Sequence, residues 1–356
     1  MRVSDAPKIL IVRVGAMGDV LHAMPAVAAL CAALPDAVIG WAIEPHWSPL
    51  LRAHPGVTVR SGEMPLVDRV HDVRAKAWSR NPISWKTLRS ILRLRKELRA
   101  QRYDIAIDLQ GTIRSSVIAW MSGAREVVGK DAPREAQARR FYKRKVKTTR
   151  SNVVAQAAEI VADAVGLGME PIKAKLPFSQ SAEQWCDALF AELPKRPMVL
   201  IAPTAGWGAK EWPAVRYGHV ARELDQMGFT VLVNASPLKP DGAAGMVVAA
   251  SQGHSRAVPC TMPQLIALVQ RAALVIAGDT GPLHLASAAG VPVLGLYGPT
   301  DPLRNGPWGM PSRVIRHKLS KTNHRRHATV ERGLAEITED DVVACALELL
   351  VPPVKA

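Results

Sequence analysis

Two doubly wound α/β domains, each built on a parallel sheet, are what the chain predicts from three features. Short aliphatic runs alternate with segments of helical periodicity, several of those runs end in glycine-rich turns, and the whole pattern starts afresh after residue 194. At 356 residues and 48% hydrophobic content, the chain is long for one core and suits two of ordinary size.

Lys8–Val14 (KILIVRV) reads as the first strand and Gly15-Ala16-Met17-Gly18-Asp19 as a tight turn. The apolar pattern beyond it reads as a helix through Leu34, stopped by Pro35-Asp36. Val38–Ile43 is a second strand. Trp85–Arg102 is helical, with leucines and isoleucines recurring at three- and four-residue spacing among arginines, and Asp104–Leu109 (DIAIDL) is the next strand. A Pro- and Gly-containing linker is expected around 166–196, before a second domain at about 195–335. There Met198–Ala202 (MVLIA) is a strand, Val215–Met227 a helix and Thr230–Asn234 a strand. Leu274–Ala277 and Val291–Leu296 are two more strands, separated by a short helix from Pro282 to Ala289. A last helix, Glu339–Leu350, has Thr338 as its N-cap and acids in its first turn. The resulting boundaries are 1–178, 179–335 and a C-terminal helix and tail at 336–356. Open parallel sheets bind ligands beyond the carboxyl ends of their strands, so the chemistry is expected there, in a cleft between two facing sheets.

No run approaches the roughly 18 apolar residues that cross a bilayer. Arg13 and Asp19 interrupt the N-terminal apolar region and no small-residue cleavage site follows, so the start reads as strand and helix and the chain as cytoplasmic. Cys31, Cys186, Cys260 and Cys345 show neither metal-ligand nor redox spacing. The formal charge of +15 is uneven: residues 1–178 carry 29 Lys/Arg against 16 Asp/Glu, and the remainder is close to balanced. Such a field favours encounter with polyanions, whether nucleic acid, anionic lipid or a phosphorylated or carboxylated substrate. Aromatics are only 5% of the chain and no nucleic-acid module is recognisable, so a nucleic-acid partner is not expected.

Three loops carry the candidate chemistry. Gly278-Asp279-Thr280-Gly281-Pro282-Leu283-His284 follows a strand and opens a helix, where free amides, a positive dipole end and glycines suit a phosphate; His284 lies one turn beyond Thr280. Simple capping by Asp279 is an equally good reading of that loop alone. Ala202–Pro213 (APTAGWGAKEWP) also follows a strand and offers the Thr204 hydroxyl and the Lys210 ammonium, although it lacks the P-loop spacing and could be an ordinary solvated loop. Gly15–His22 (GAMGDVLH) places Asp19 in the first turn of a helix, which fixes the direction of a carboxylate that must receive a proton; a plain N-cap is the competing reading. The spacing fails the dinucleotide fingerprint.

Gly15–Pro25 (GAMGDVLHAMP), Ile107–Gly111 (IDLQG), Lys210–Pro213 (KEWP) and Gly278–Pro302 (GDTGPLHLASAAGVPVLGLYGPTDP) resemble, in the same order, bacterial lipopolysaccharide heptosyltransferases, especially the kind that adds the first heptose to the inner core. The resemblance implies a GT-B architecture of two facing Rossmann-like domains, residues 1–178 binding acceptor and 179–335 binding donor. It implies an inverting transferase needing neither metal nor other cofactor, with ADP-L-glycero-β-D-manno-heptose as donor and Kdo-lipid A as acceptor. Asp19 corresponds to the family's general base, Thr204 and Lys210 to its donor-binding threonine and lysine, and Asp279, Thr280, Gly281 and His284 to its donor loop. Gly18, Arg114 and Arg134 are the expected acceptor contacts, Arg114 because it just follows the IDLQG strand end and Arg134, in Pro133-Arg134-Glu135, because it shares the basic stretch 69–150, which holds 22 Lys/Arg. The chain departs from the pattern at Ala205, where the family has a second threonine, and at Cys260, where a methionine packs on adenine. Asn234-Ala235-Ser236-Pro237 offers no counterpart of the ribose-binding glutamate.

The basic half also predicts peripheral attachment to the anionic inner face of the inner membrane. Competing functions are a same-fold transferase for another nucleotide sugar, a nucleotide-sugar epimerase and a basic nucleic-acid-binding protein; the oligomeric state is not encoded in any motif. If the basic half meets an anionic acceptor, raising salt weakens acceptor binding more than donor binding. Equal salt responses of the two equilibrium constants would contradict that division.

Overall fold

The computed structural model describes residues 6–237, 242–323 and 327–350. The chain forms two compact units, Met1–Phe178 and Ser179–Ala356.

The first unit holds the strands β1 (Lys8–Val12), β2 (Val38–Ile43), β3 (Arg69–Asp72), β4 (Ile105–Asp108), β5 (Glu126–Lys130) and β6 (Arg144–Val146). Its helices are α1 (Met17–Ala33), α2 (Ala75–Arg80), α3 (Trp85–Gln101), α4 (Ile113–Met121) and α5 (Val153–Val165). The strands pair in parallel in the order β3-β2-β1-β4-β5-β6, with Leu10 of β1 opposite Gly40 on one side and Ala106 on the other. Ile9 to Val12 are wholly buried, as expected of a strand covered on both faces, which reads as a continuous apolar run rather than an alternating one. Leu10 and Val12 pack with Leu94 and Leu98 of α3 and Ile118 of α4, while α1 and α5 pack against each other.

The second unit repeats the plan. Its strands are β7 (Met198–Ala202), β8 (Thr230–Ala235), β9 (Arg256–Pro259), β10 (Leu274–Gly278), β11 (Val293–Tyr297) and β12 (Ser312–Arg316), all parallel in the order β12-β11-β10-β7-β8-β9. The helices are α6 (Gln180–Ala191), α7 (Ala214–Gln226), α8 (Ala243–Ala250), α9 (Met262–Gln270), α10 (Gly281–Ala289), α11 (Pro302–Asn305), α12 (Arg332–Ala335) and α13 (Glu339–Leu350). Counted within its own unit, each sheet has the strand order 3-2-1-4-5-6 of a Rossmann-like fold. The order reverses between β1 and β4 in one unit and between β7 and β10 in the other, so the loops after those four strands are the natural ligand sites.

Three departures from the sequence expectation bear on the site and the cores. The first strand ends at Val12, two residues early, and frees Arg13 for the loop. The expected linker contains α6, whose Ala182, Cys186 and Leu189 recur at helical spacing and are buried, in a helix that packs on α9. The C-terminal helix α13 belongs to the second core, where Val342, Val343 and Ala346 join Trp212 and Leu224. Thr338 caps it as read: its Oγ1 accepts from the Asp341 amide at 3.2 Å, and the Asp341 carboxylate accepts the Thr338 hydroxyl at 2.7 Å. Short β3, β5, β6, β9 and β12 were not legible as strands in the sequence. Among the described residues no helix is long and apolar enough to cross a membrane.

Leu224→Ala empties a fully buried position and is expected to lower the unfolding free energy by about 3 kcal/mol, whereas Thr338→Ala costs about 1 kcal/mol through the lost cap. Urea denaturation measures both, and a Leu224→Ala variant as stable as the parent would contradict this packing.

Candidate functional site

In the second unit the loops after β7 and β10 lie against one another. Gly278 permits this, because a Cβ there would stand 2.9 Å from the Lys210 carbonyl oxygen. The Lys210 ammonium donates to Asp279 Oδ2 at 2.5 Å and to the Asp279 carbonyl at 3.3 Å, and sits 4.8 Å from the centroid of the Trp207 ring. On the other carboxylate oxygen, His284 Nε2 donates to Asp279 Oδ1 at 2.9 Å. Asp279 and His284 are 5% and 6% exposed, so this is a nearly dry cluster. Burial opposes ionisation of Asp279, but the hydrogen bond and charge of His284, followed by the charge and hydrogen bond of Lys210, outweigh it and hold the carboxyl well below the usual range.

That geometry settles the capping question for this loop. Thr280, not Asp279, is the N-cap of α10, and no side chain caps the helix, while Pro282 occupies its first turn. Asp279 spends both oxygens on Lys210 and His284. The Thr280 Oγ1 is buried without a hydrogen-bond partner among the described residues, and so is Thr300 Oγ1, in the loop after β11. An orphaned hydroxyl at an uncapped helix start, with a second in the loop after the adjacent strand β11, fits a polar ligand. Thr300 lies in the YGPTDP segment, where no local pattern singles it out.

The loop after β7 is not the loosely solvated segment that it could have been. The Ala205 amide donates to Glu211 Oε1 at 3.0 Å, the Ala209 amide to the His327 carbonyl at 3.1 Å, and the Glu331 amide to the Ala209 carbonyl at 3.2 Å. Gly208 faces the Ala328 carbonyl so closely that a Cβ would overlap it. Thr204 lies exposed at the head of this loop. Cys260 is buried, and burial pushes its thiol up to about 12, so it stays neutral. Ser236 and Pro237 are described, but residues 238–241 lie outside the described residues.

In the first unit Gly18 and Asp19 share the first turn of α1. Asp19 Oδ2 accepts from the Ala16 amide at 3.3 Å, and Asp19 Oδ1 pairs with Arg13 Nη2 at 2.8 Å. Arg13 also donates through Nε to the Asp19 carbonyl at 3.0 Å and through Nη1 to the Leu109 carbonyl. The Val14 amide donates to Gln110 Oε1 at 2.8 Å, so the loops after β1 and β4 are tied together. Sequence reading missed Arg13, which it treated only as a break in an apolar run; a lone charge at the carboxyl end of a first strand was the available signal.

The IDLQG turn is held by Asp108, which is fully buried. It accepts from the Gln110 and Gly111 amides at 2.9 and 3.1 Å, from Ser115 Oγ at 2.9 Å and from the Tyr142 hydroxyl at 2.6 Å. Burial raises its pKa against these four donors, and its hydrogen bonds are structural. Gly111, with φ of 70°, leaves room for the Arg134 backbone, and the Glu135 amide donates to the Gly111 carbonyl at 2.9 Å. Arg134 is therefore seated at the same end of the sheet with its side chain exposed, and Arg114 donates to Ser79 Oγ at 2.8 Å. Lys210, Asp279 and His284 are thus brought into contact, with Thr280 and Gly281 adjoining. Gly18, Asp19, Arg114 and Arg134 gather at the carboxyl end of the other sheet. Among the described residues no group of three or more His, Cys, Asp or Glu is placed to hold a metal ion.

Two Rossmann-like units, one bearing a Lys–Asp–His cluster at an uncapped helix start, are the architecture of GT-B glycosyltransferases. The profile of glycosyltransferase family 9 (heptosyltransferase) matches residues 91–335, and the chain belongs to that family. It is 27% identical over 308 residues to lipopolysaccharide heptosyltransferase 1 of Pseudomonas aeruginosa, covering 85% of this chain and 81% of that protein. Its fold is shared with Escherichia coli heptosyltransferase WaaC, solved with ADP-2-deoxy-2-fluoro heptose, at a TM-score of 0.74 and 23% identity over 96% and 99% of the two chains. It is shared as well with a family 9 glycosyl transferase from Veillonella parvula, at a TM-score of 0.79 and 20% identity over 98% of each. The sequence resemblance to heptosyltransferases is borne out.

Asp279→Asn leaves a buried ammonium beside a neutral amide and is expected to cost about 3 kcal/mol at pH 7. Because the folded carboxyl is depressed, its contribution is complete above the unfolded value of roughly 3.9 and is lost as pH falls through the lower folded value. Urea midpoints of parent and variant should therefore differ by the same amount at pH 7 and pH 5 and begin to converge only below about pH 4. A constant gap down to acid pH would refute the assigned ionisation.

Proposed function

We propose that the chain transfers heptose from ADP-L-glycero-β-D-manno-heptose to the Kdo of a lipid A-linked inner core, in lipopolysaccharide core biosynthesis, inverting the anomeric carbon and using no metal ion. The observation that carries this reading is the Lys210 ammonium held 2.5 Å from Asp279 at the uncapped start of α10. A diphosphate seated there meets a cation, helix amides and the unpartnered Thr280 hydroxyl, which together offset the charge of the leaving group. His284 orients Asp279, and Asp279 in turn aims Lys210. Thr204, exposed at the head of the neighbouring loop, supplies a further donor, and neutral Cys260 suits an apolar contact with a nucleobase.

The acceptor hydroxyl attacks the anomeric carbon from the face opposite the diphosphate. A new carbon–oxygen bond forms, the bond to the phosphate oxygen breaks with its electron pair leaving on ADP, and the hydroxyl proton passes to Asp19. An alcohol is far less acidic than a carboxylic acid, so that proton moves late, once the anomeric bond has begun to form. Arg13 and the Ala16 amide each hold one carboxylate oxygen of Asp19 and so fix its direction. Gly18, beside the base in the first turn of α1, adjoins the acceptor, and Arg114 and Arg134 engage acceptor carboxylate and phosphate groups. The enzyme works at the anionic inner face of the inner membrane, where each basic residue contributes roughly 1 kcal/mol of attraction.

Asp19→Asn is expected to lower kcat at least about a hundredfold while leaving the dissociation constant for ADP-heptose and the circular dichroism spectrum unchanged. Near-normal turnover by a folded variant would remove Asp19 as the base. Incubating the parent with ADP-, UDP- and GDP-sugars and Kdo-lipid A, then weighing products and assigning the new linkage by NMR, should give one added heptose from the ADP donor with inverted configuration. Another donor or a retained configuration would overturn that part of the proposal.

A further inference from the structure

Helix α3 carries on its solvent side a set of residues that sugar transfer does not use. Its inner face is Thr87, Leu94 and Leu98, which are buried. Trp85, Leu88 and Leu92, at spacings of three and four on the opposite side, are 71%, 45% and 51% exposed, and Ile83, just before the helix, is 98% exposed. A bulky apolar stripe of this kind on a water-facing helix marks a contact surface rather than a core. Lys86, Arg89, Arg93, Arg95, Lys96 and Arg99 lie on the same helix, and its one acid, Glu97, is engaged with buried His71 at 2.5 Å.

The stripe is fixed to the candidate acceptor end of the sheet. Trp78 Nε1 of α2 donates to Ser90 Oγ of α3 at 3.1 Å, and the next residue, Ser79, receives Arg114 at 2.8 Å. Charge decides the occupant. A second copy of this chain would set cations against cations, and a nucleic acid would leave Trp85, Leu88 and Leu92 without partners. Anionic lipid satisfies both halves of the pattern: apolar side chains enter the boundary between headgroups and acyl chains, while lysines and arginines reach lipid phosphates.

We propose that α3 is an interfacial helix that lies in the surface of an anionic bilayer through Ile83, Trp85, Leu88 and Leu92, with its basic residues on the headgroups. This deepens the proposed function by naming the face through which the enzyme meets the membrane, and it rests on that function only for the lipid-linked nature of the acceptor. A lipid-linked acceptor would then reach Arg114 from the bilayer side by lateral diffusion.

The test is co-sedimentation of the full-length protein with phosphatidylcholine vesicles with and without phosphatidylglycerol. The parent is expected to bind the anionic vesicles at least about tenfold more tightly than the neutral ones, and Trp85→Ser/Leu88→Ser/Leu92→Ser to lose about tenfold in partitioning. The triple variant should keep the parent's urea midpoint and its turnover on a delipidated, soluble Kdo acceptor. Brominated lipid should quench the parent's tryptophan fluorescence more than that of Trp85→Phe. Equal vesicle binding by parent and triple variant overturns the proposal. So does a parent dimer that the variant dissociates, which would make a second copy the occupant, or DNA or RNA binding that the variant abolishes. Failure of the parent on the soluble acceptor with vesicle binding intact would instead fault the proposed reaction and leave the membrane face standing.

Discussion

A buried charge must have a partner, and the second unit is organised by how it meets that constraint. Asp279 is nearly excluded from water, so its carboxylate persists only because His284 and Lys210 each take one oxygen. Since Lys210 comes from the loop after β7 and His284 from the first turns of α10, the pairing fixes two ligand loops against each other. Gly278 then follows as a necessity, because a side chain there would meet the Lys210 carbonyl and push those loops apart, while Gly208 lets the loop after β7 pack on the Ala328 carbonyl. The uncapped helix start and the unpartnered threonine hydroxyls are what is left over when Asp279 is committed elsewhere.

The first unit has the same strand order but uses it differently. Its switch-point loops hold Arg13, as buried as Lys210, but that guanidinium is spent on the half-exposed Asp19 carboxylate and the Leu109 carbonyl, beside a turn stabilised by fully buried Asp108. Two repeats of one topology therefore present opposite chemistry, an anion cradle in one and a lone acid with flanking arginines in the other. That contrast is what the proposed transfer from an anionic donor to an anionic, nucleophilic acceptor asks for, and the positive charge concentrated in residues 1–178 agrees with that proposal.

Much of this was legible in the chain because buried parallel strands declare themselves as unbroken aliphatic runs: KILIV, VIGWAI, MVLIA and LVIA were all found within a few residues. Edge strands such as RKV of β6 and RAVP of β9 were not, since they are short, half-polar and owe their conformation to a neighbour. Helix α6 was taken for linker because a Pro- and Gly-containing stretch surrounds it and only three of its positions are buried. The site divides in the same way. Asp279, Lys210 and His284 stood in motifs whose turn chemistry was readable, but whether Asp279 capped the helix or paired with Lys210 depended on a partner 69 residues away. Arg13 was overlooked for a similar reason: its role is set by Asp19 and by the Leu109 carbonyl, neither of which a local pattern reveals.

The Lys210–Asp279 pair is assigned as one half of a diphosphate site, and isothermal titration with ADP reads that assignment without requiring an acceptor, a membrane or turnover. ADP should bind the parent and Asp19→Asn alike, and bind Lys210→Ala at least about tenfold more weakly because a charge-assisted contact to phosphate is gone. Equal ADP affinity in the parent and a folded Lys210→Ala would mean that the cluster serves only the architecture of the second unit, and the catalytic account built on it would fall.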